Sequence, residues 1–245
     1  MSTPGPEASS VLSVVIPAYN EEENVEACYR ELVGVLTSLD RPFEVIVVDD
    51  GSTDRTPEVL RGLRSADPRL RVVRFRRNAG QTAALDAGFR AARGDTIVTM
   101  DADLQNDPRD IPTLLGALGA CDAVCGWRVD RQDPWTKRIA SRVANDVRRR
   151  LTGDGVHDTG CTLKAFRQEA VRRLTLYRGM HRFLPALLVQ EGLRVTEVPV
   201  RHRRRRAGVS KYGNWARLWA GLADLWAVRW MARRQLRYEI EEDRP

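Results

Sequence analysis

Short apolar runs of β type alternate with helical segments through the first half of this 245-residue chain. Five runs are predicted strands: Val11–Ile16, Phe43–Val48, Arg71–Phe75, Thr96–Met100 and Ala123–Trp127. This alternation predicts an α/β fold with a mostly parallel sheet flanked by helices, because parallel strands need long crossover connections. Pro17 is expected to stop the first strand. The helix that follows is expected to begin at Asn20 with its acidic run and to end near Leu39.

Polar residues follow three of these strands at the point where each ends. Tyr19 and Asn20 follow the first strand, Asp49 and Asp50 the second, and Asp101-Ala102-Asp103 the fourth. Ligands of doubly wound sheets bind beyond the carboxyl ends of the strands. We therefore expect the three polar segments to converge on one site.

The pair Asp101 and Asp103 gives this site its chemistry. Side chains at i and i+2 of an extended strand end point the same way, and two such carboxylates repel unless a cation or a proton lies between them. With the amide oxygen of Gln105 they form an all-oxygen set that suits Mg²⁺ or Mn²⁺. From these residues alone, a plain acidic turn is an equally good interpretation. Tyr19 could pack against a base or a sugar, with a capped helix after the strand as the alternative. Asp49 and Asp50 could accept hydrogen bonds from a base or a ribose, with a simple turn as the alternative.

Composition and motifs narrow the class of ligand. Neither GxGxxG after the first strand nor GxxxxGK[ST] occurs, which disfavours dinucleotide and P-loop sites. The net charge of +7 suggests an anionic partner. The spacing of the four cysteines favours reduced, buried thiols over a zinc site. Residues 1–10 are expected to be a disordered leader, and no run of about 18 apolar residues predicts a membrane span.

The second half is less regular. Predicted helices cover Trp135–Leu151, Gln168–Leu174 and Phe183–Glu191, with a turn at His157–Cys161 and a strand at Val195–Val200. Five arginines then fall within Arg201–Arg206, which we interpret as a phosphate clamp with headgroup contact rather than a nucleic-acid patch. Trp215–Tyr238 is predicted to be one amphipathic helix, rich in tryptophan and arginine. It suits a membrane interface, with packing on the protein body or in a homo-oligomer as the alternative.

Four segments, taken in order, resemble the signatures of family 2 glycosyltransferases with the GT-A fold: Val14–Glu21, Val47–Asp54, Asn78–Gln81 and Met100–Gln105. Within that family the chain resembles the polyprenyl-phosphate glycosyltransferases, the group that contains dolichol-phosphate mannose synthase. The segments that carry this closer resemblance are Asp101–Pro108, Cys125–Arg128, Asp158–Cys161 and Arg205–Tyr212. The resemblance covers about residues 11–214, the expected GT-A domain, and leaves 215–245 as the amphipathic helix and an acidic end.

The resemblance implies an inverting, metal-dependent transfer of a hexose from a nucleotide-diphosphate sugar to dolichyl or undecaprenyl phosphate. It assigns the nucleotide to Pro17, Tyr19, Glu21, Val48 and Asp50. It assigns Mg²⁺ or Mn²⁺ to Asp101, Asp103 and Gln105, with Ala102 against the donor. It assigns the binding of donor or acceptor phosphate to Arg128, Arg205, Ser210 and Lys211. It assigns contacts with the phosphate of the acceptor to Lys137, Arg138 and Ser141.

Several points stay open at this level. Asp158 is a candidate for orienting the acceptor or acting as a weak base, and a helix cap or an ion pair with an arginine is the alternative. A family 2 transferase with a polysaccharide or soluble acceptor is a second interpretation. A catalytically silent membrane-surface scaffold is a third, against which the intact Asp101, Asp103 and Gln105 speak. The expected location is cytoplasmic, peripheral at the inner face of the membrane, with no nucleic-acid partner.

Overall fold

The computed structural model describes residues 11–129, 148–203 and 214–236, and within the last range it describes side chains from 221 onward. Seven strands in these ranges form one sheet. They are β1 (Leu12–Ala18), β2 (Phe43–Asp49), β3 (Leu70–Arg74), β4 (Thr96–Thr99), β5 (Ala123–Arg128), β6 (Lys164–Arg167) and β7 (Val195–Val200). The named helices are α1 (Val25–Thr37), α2 (Thr56–Ala66), α3 (Gln81–Ala91), α4 (Ile111–Leu118), α5 (Gln168–Arg172), α6 (Leu184–Gln190) and α7 (Asn214–Arg234), and residues 148–152 are helical as well.

The strand order is β3-β2-β1-β4-β6-β5-β7, and every neighbouring pair is parallel except those that include β6. The predicted mostly parallel α/β sheet is therefore confirmed. β6 is an additional strand that the sequence pattern did not predict. Because it runs antiparallel, its first residue Lys164 lies opposite Thr99 at the end of β4. The segment leading into β6 thus reaches the same edge at which the parallel strands end.

Helices cover both faces of the sheet, which explains the nearly continuous apolar runs of the central strands. Val14 and Ile16 of β1 pack with α1, α2 and α4, whereas Val15 packs on the other face with α3, α5 and α6. Because both faces of the sheet are buried, apolar residues at successive positions of a central strand are all stabilised by packing. The four cysteines are all free and buried.

Two expectations at the first strand were wrong. Pro17 lies inside β1, paired in register with Val48, and does not stop it. The carbonyl of Val15 accepts from Met100 N on the β4 side, and the ladder with β4 stops there, where Pro17 has no N–H to donate, while β1 continues to pair with β2. Helix α1 begins at Val25 rather than at Asn20.

Candidate functional site

A cleft of about 710 Å³ opens at the edge of the sheet where β1, β2, β4 and β5 end. That volume lies in the usual range for small-molecule sites. Most of the residues assigned from the sequence line it, namely Pro17, Tyr19, Glu21, Asp50, Asp101, Ala102, Asp103, Gln105 and Arg128. The predicted convergence of three polar strand ends therefore holds. Val48 instead lies in the core with α3, and the side chain of Asp158 pairs behind the cleft wall.

The β1–α1 loop lines the cleft because the β2–α2 loop holds it there. Ser52 Oγ accepts from Asn20 N at 2.9 Å, and Thr56 Oγ1 accepts from Glu21 N at 2.9 Å. Asp54 accepts from Thr56 N through one oxygen and from Glu22 N through the other. These contacts give acceptors to backbone N–H groups ahead of α1, and they hold the loop in place before the helix begins.

Asp50 organises the next loop. Its carboxylate accepts from the Asn78 side chain at 2.9 Å, from Ala79 N at 2.7 Å and from Gly80 N at 2.9 Å. Asp49 is fully buried, accepts from Ser52 N and lies 3.1 Å from Arg74 Nε. Both carboxylates thus accept hydrogen bonds from the protein itself. Asp50 lines the cleft, but most of its hydrogen bonds are made with residues 78–80.

Residues 101–105, called here the acidic turn, leave β4 in a tight conformation. Asn106 Oδ1 accepts from Asp101 N at 3.0 Å, and Asp103 Oδ1 accepts from Gln105 N at 3.1 Å. Leu104 between them has a φ of +62°, a left-handed conformation that is uncommon for leucine. The two aspartates therefore come together through a strained turn and not through an extended strand end.

Burial and the nearby Asp103 raise the pKa of Asp101 to about 6. Gln81 Nε2 donates to Asp101 Oδ1 at 3.0 Å, and the charge of Lys164 partly compensates the pair. Two carboxylates and an amide in one buried cleft fit a hard divalent cation that keeps open positions for phosphate oxygens. Among the described residues, no group of three or more histidine, cysteine, aspartate or glutamate side chains is arranged for a metal, and Gln105 is a further oxygen donor in the cleft lining.

Arg128 at the end of β5 brings positive charge to the cleft. Its Nε donates to Asp158 Oδ2 at 2.7 Å and its Nη2 donates to Asp158 Oδ1 at 2.9 Å. Burial lowers the pKa of Arg128, but the hydrogen bonds to Asp158 outweigh it and raise the pKa above its ordinary value. Asp158 also accepts from Gly160 N. With both oxygens engaged, Asp158 is a partner of Arg128, which was the alternative left open by the sequence.

Glu197 supports this pair from β7. Its carboxylate accepts from Asp158 N at 3.0 Å and from His157 N at 2.8 Å. His157 also lies 2.8 Å from Glu197 through Nδ1 and stacks on Trp127 with ring centroids 5.1 Å apart. His157 is therefore held by Glu197 and Trp127.

The first two arginines of the basic run hold protein carboxylates. Arg203 contacts Glu31 at 2.6 Å and Asp107 at 2.8 Å, and its backbone N–H donates to Gln105 O at 3.0 Å. Arg201 N donates to Asp110 at 2.7 Å. These contacts fasten the chain after β7 to the acidic turn, and the Arg203 guanidinium pairs with Glu31 and Asp107 instead of forming part of a phosphate clamp.

The other predicted phosphate contacts lie outside the described residues: Lys137, Arg138, Ser141, Arg205, Ser210 and Lys211. Conversely, sequence reasoning assigned no role to Gln81, Lys164, His181 or Arg182, all of which line the cleft. Lys164 donates to the carbonyls of Thr159 and Cys161. A lysine at the start of an unpredicted strand carried no signal, because it resembles any surface residue.

Helix α7 contacts the body of the protein with one side. Leu225 and Val228 are buried against Met180, Phe183 and Leu187, whereas Trp226 and Trp230 on another side are 73% and 58% exposed. One side of α7 thus packs on the protein body, which was the alternative left open by the sequence, and the side with Trp226 and Trp230 is exposed. Over the ranges described, no helix has the length and apolar character needed to cross a bilayer.

Comparison with known structures gives the fold. Glucosyl-3-phosphoglycerate synthase from Mycobacterium tuberculosis, in complex with Mn²⁺, UDP and phosphoglyceric acid, superposes with a TM-score of 0.69 at 23% identity over 93% of this chain and 79% of that one. The mannosyltransferase PcManGT from Pyrobaculum calidifontis, in complex with GDP-Man and Mn²⁺, gives 0.64 at 24% identity over 97% of this chain and 68% of that one. The fold is therefore GT-A-like.

Sequence comparison gives the family. The model of glycosyl transferase family 2 matches residues 13–175. The chain is 40% identical to dodecaprenyl-phosphate galacturonate synthase from Rhizobium johnstonii, over 96% of this chain and 71% of that protein. It is 39% identical to undecaprenyl-phosphate 4-deoxy-4-formamido-L-arabinose transferase from Edwardsiella ictaluri, over 82% of this chain and 63%, less than two thirds, of that protein. The chain thus belongs to the family 2 glycosyltransferases, in the group of polyprenyl-phosphate glycosyltransferases.

Proposed function

We propose that this protein transfers a sugar from a nucleotide-diphosphate sugar to a polyprenyl phosphate. The observation that carries the proposal is the meeting of two kinds of charge in one cleft: the carboxylates of Asp101 and Asp103 and the guanidinium of Arg128. The acid pair suits a divalent cation, and Arg128 suits a phosphate. A donor and an acceptor that are both anionic need both features.

In the proposed reaction the bond between the anomeric carbon and the donor phosphate breaks, and a phosphate oxygen of the acceptor bonds to that carbon. Nucleoside diphosphate leaves with the electron pair. With Asp101, Asp103 and Gln105 as its ligands, Mg²⁺ or Mn²⁺ would supply charge stabilisation for the leaving diphosphate. The inverting course is what the family resemblance implies.

Arg128 would neutralise phosphate charge that grows as the donor bond breaks, so it would stabilise the transition state more than the ground state. Asp158 keeps that guanidinium in place through two hydrogen bonds. An acceptor phosphate has a second pKa of about 6 and is largely ionised at neutral pH. It therefore needs no general base, which agrees with Asp158 being fully engaged with Arg128.

The names of the relatives broaden the donor beyond the neutral hexose that the sequence suggested. One relative is named for galacturonate and another for a 4-deoxy-4-formamido-L-arabinose. We propose a hexose or hexuronate donor, and the assay should offer an activated aminopentose as well. The exposed Trp226 and Trp230 support a peripheral position at the membrane that holds the lipid acceptor.

The test is transfer of radiolabel from a panel of nucleotide sugars to undecaprenyl phosphate with Mn²⁺ or Mg²⁺. Asp103→Asn should abolish transfer and retain the fold by circular dichroism. Asp86→Asn is the matched control, because Asp86 pairs with Arg90 on α3 and does not line the cleft. Full activity of Asp103→Asn would overturn the metal site, and no transfer by the wild-type protein from any donor would overturn the proposed function.

A further inference from the structure

One wall of the cleft is a turn to which the sequence assigned no role. Residues Met180–Phe183, called here the His181 turn, form a single 3₁₀ turn before α6. His181 and Arg182 from this turn line the same cleft as the acidic turn and Arg128. Met180 and Phe183 point the other way and are buried in a small core.

The His181 turn is tied to the acidic turn through α3. His181 Nδ1 lies 2.8 Å from Thr82 Oγ1, and the same hydroxyl accepts from Gly179 N at 3.1 Å. The residue before Thr82 is Gln81, whose side chain donates to Asp101. Two sets of hydrogen bonds, joined by the backbone between Gln81 and Thr82, thus connect His181 to the proposed metal ligand Asp101, and Arg182 is the next residue of the turn.

Helix α7 packs directly behind this turn. Gly179 has a φ of +88°, and a methyl group added there would lie 2.4 Å from Asp224 Oδ2 of α7. The core beneath the turn also includes Leu225 and Val228 of α7. Burial raises the pKa of Asp224 and the positive charge of Arg182 opposes that rise, so Arg182 lies within electrostatic reach of α7.

We propose that the His181 turn is an anion subsite, in which Arg182 and His181 contact a phosphate of the bound substrates, and that α7 positions it by packing behind it, where Asp224 lies next to Gly179. The subsite rests on the proposed function and adds a second cationic wall to it. The phosphate belongs either to the donor diphosphate or to the lipid acceptor. In either case Arg182 and Arg128 would provide positive charge at separate points of the cleft where the two anions meet.

The subsite is tested with Arg182→Gln against Arg178→Gln, which removes the same charge from an exposed position outside the cleft lining. Two measurements separate the sources of the phosphate: calorimetric Kd for UDP and GDP with Mn²⁺, and KM for undecaprenyl phosphate. Arg182→Gln should raise one of these by about tenfold, and Arg178→Gln should leave both within about twofold. Unchanged values for Arg182→Gln would overturn the subsite.

The role of α7 is tested with Gly179→Ala against Gly192→Ala. Gly192 has a φ of +76° but nothing within 4 Å of an added methyl group, so the two variants share backbone strain and differ in the clash. Gly179→Ala should weaken the same substrate as Arg182→Gln, and adding Asp224→Ala should restore its binding. Equal effects of the two glycine variants, or no rescue, would overturn positioning by α7.

The nucleotide measurement does not depend on turnover. If the wild-type protein transfers no sugar, the proposed function fails, and the subsite is then judged on nucleotide binding alone. Unchanged nucleotide binding in Arg182→Gln would in that case overturn the subsite as well.

Discussion

Leu104 is a buried apolar residue with a left-handed backbone conformation. It is 8% exposed and packs in the core with α1 and α4, yet its φ is +62°. A left-handed conformation costs a residue with a Cβ about 1–2 kcal/mol, a cost that glycine avoids. The acidic turn therefore keeps its shape against a local conformational preference, as is common at functional sites.

This strain predicts an inverted order of two variants. Leu104→Gly should have a free energy of unfolding about 1 kcal/mol greater than Leu104→Ala, measured by urea denaturation, because both lose the same packing and only alanine retains the strain. At Leu114, buried within α4, the order should be the usual one, with alanine more stable than glycine by about 1 kcal/mol. The same order at both positions would contradict the strain.

At the scale of elements, the contact between α1 and the segment after β7 makes stability depend on pH. Hydrogen bonding to Arg203 lowers the pKa of Glu31. Burial raises the pKa of Asp107, but hydrogen bonds from Arg109 and Arg203 outweigh it and lower the pKa well below its ordinary value. Carboxyls whose pKa is lower in the folded state contribute stability above their unfolded pKa of about 4 and lose it as the pH falls further.

We therefore expect the free energy of unfolding to fall as the pH is lowered below about 4, and Arg203→Gln to make that fall shallower. Urea denaturation at a series of pH values measures both. Arg30→Gln is the matched control, because Arg30 pairs with Glu26 on the exposed side of α1. A slope for Arg203→Gln that equals the wild-type slope would show that Glu31 and Asp107 do not depend on Arg203.

At the scale of the whole molecule, α7 joins the cleft to an outer surface. Its Leu225 and Val228 pack beneath the His181 turn, while Trp226 and Trp230 face outward, with Arg234 stacked 5.1 Å over the ring of Trp230. Exposed tryptophans beside arginines suit the boundary of an anionic bilayer.

The double variant Trp226→Ala/Trp230→Ala should bind anionic phospholipid vesicles less tightly in a flotation assay, with its thermal stability unchanged. Turnover should fall with undecaprenyl phosphate in vesicles and persist with a short-chain acceptor in detergent. Tyr177→Ala, which removes an aromatic ring that is 56% exposed outside α7, should leave flotation unchanged. Wild-type flotation by the double variant would exclude these tryptophans from membrane binding.

Sequence patterns predicted those features that depend on local chemistry. The apolar runs identified six of the seven strands, and the polar residues at their ends identified most of the cleft lining. β6 was not predicted, because Lys164–Arg167 is only four residues long and has a basic residue at each end. Its pairing depends on β4 and β5, which lie far away in the chain, and no local pattern records that.

Partners of charged residues were also beyond local pattern. Arg201 and Arg203 belong to a basic run in the sequence, but their partners Asp107, Asp110 and Glu31 come from distant segments. The same applies to Asp158, whose pairing with Arg128 was only one of several possibilities. The residue types at the site could be predicted from the sequence, whereas the pairing of one charged side chain with another could be identified only from the fold.

The place of β6 has a consequence during synthesis. A ribosome releases β1 to β4 first, and these strands pair with one another in the order β3-β2-β1-β4. The far edge of β4 stays unpaired until Lys164–Arg167 has been synthesised. Until then β5, which is synthesised before β6, also has no strand to pair with. An unpaired apolar edge is a site for aggregation. The nascent chain should therefore depend most on chaperones between the emergence of β5 and that of β6.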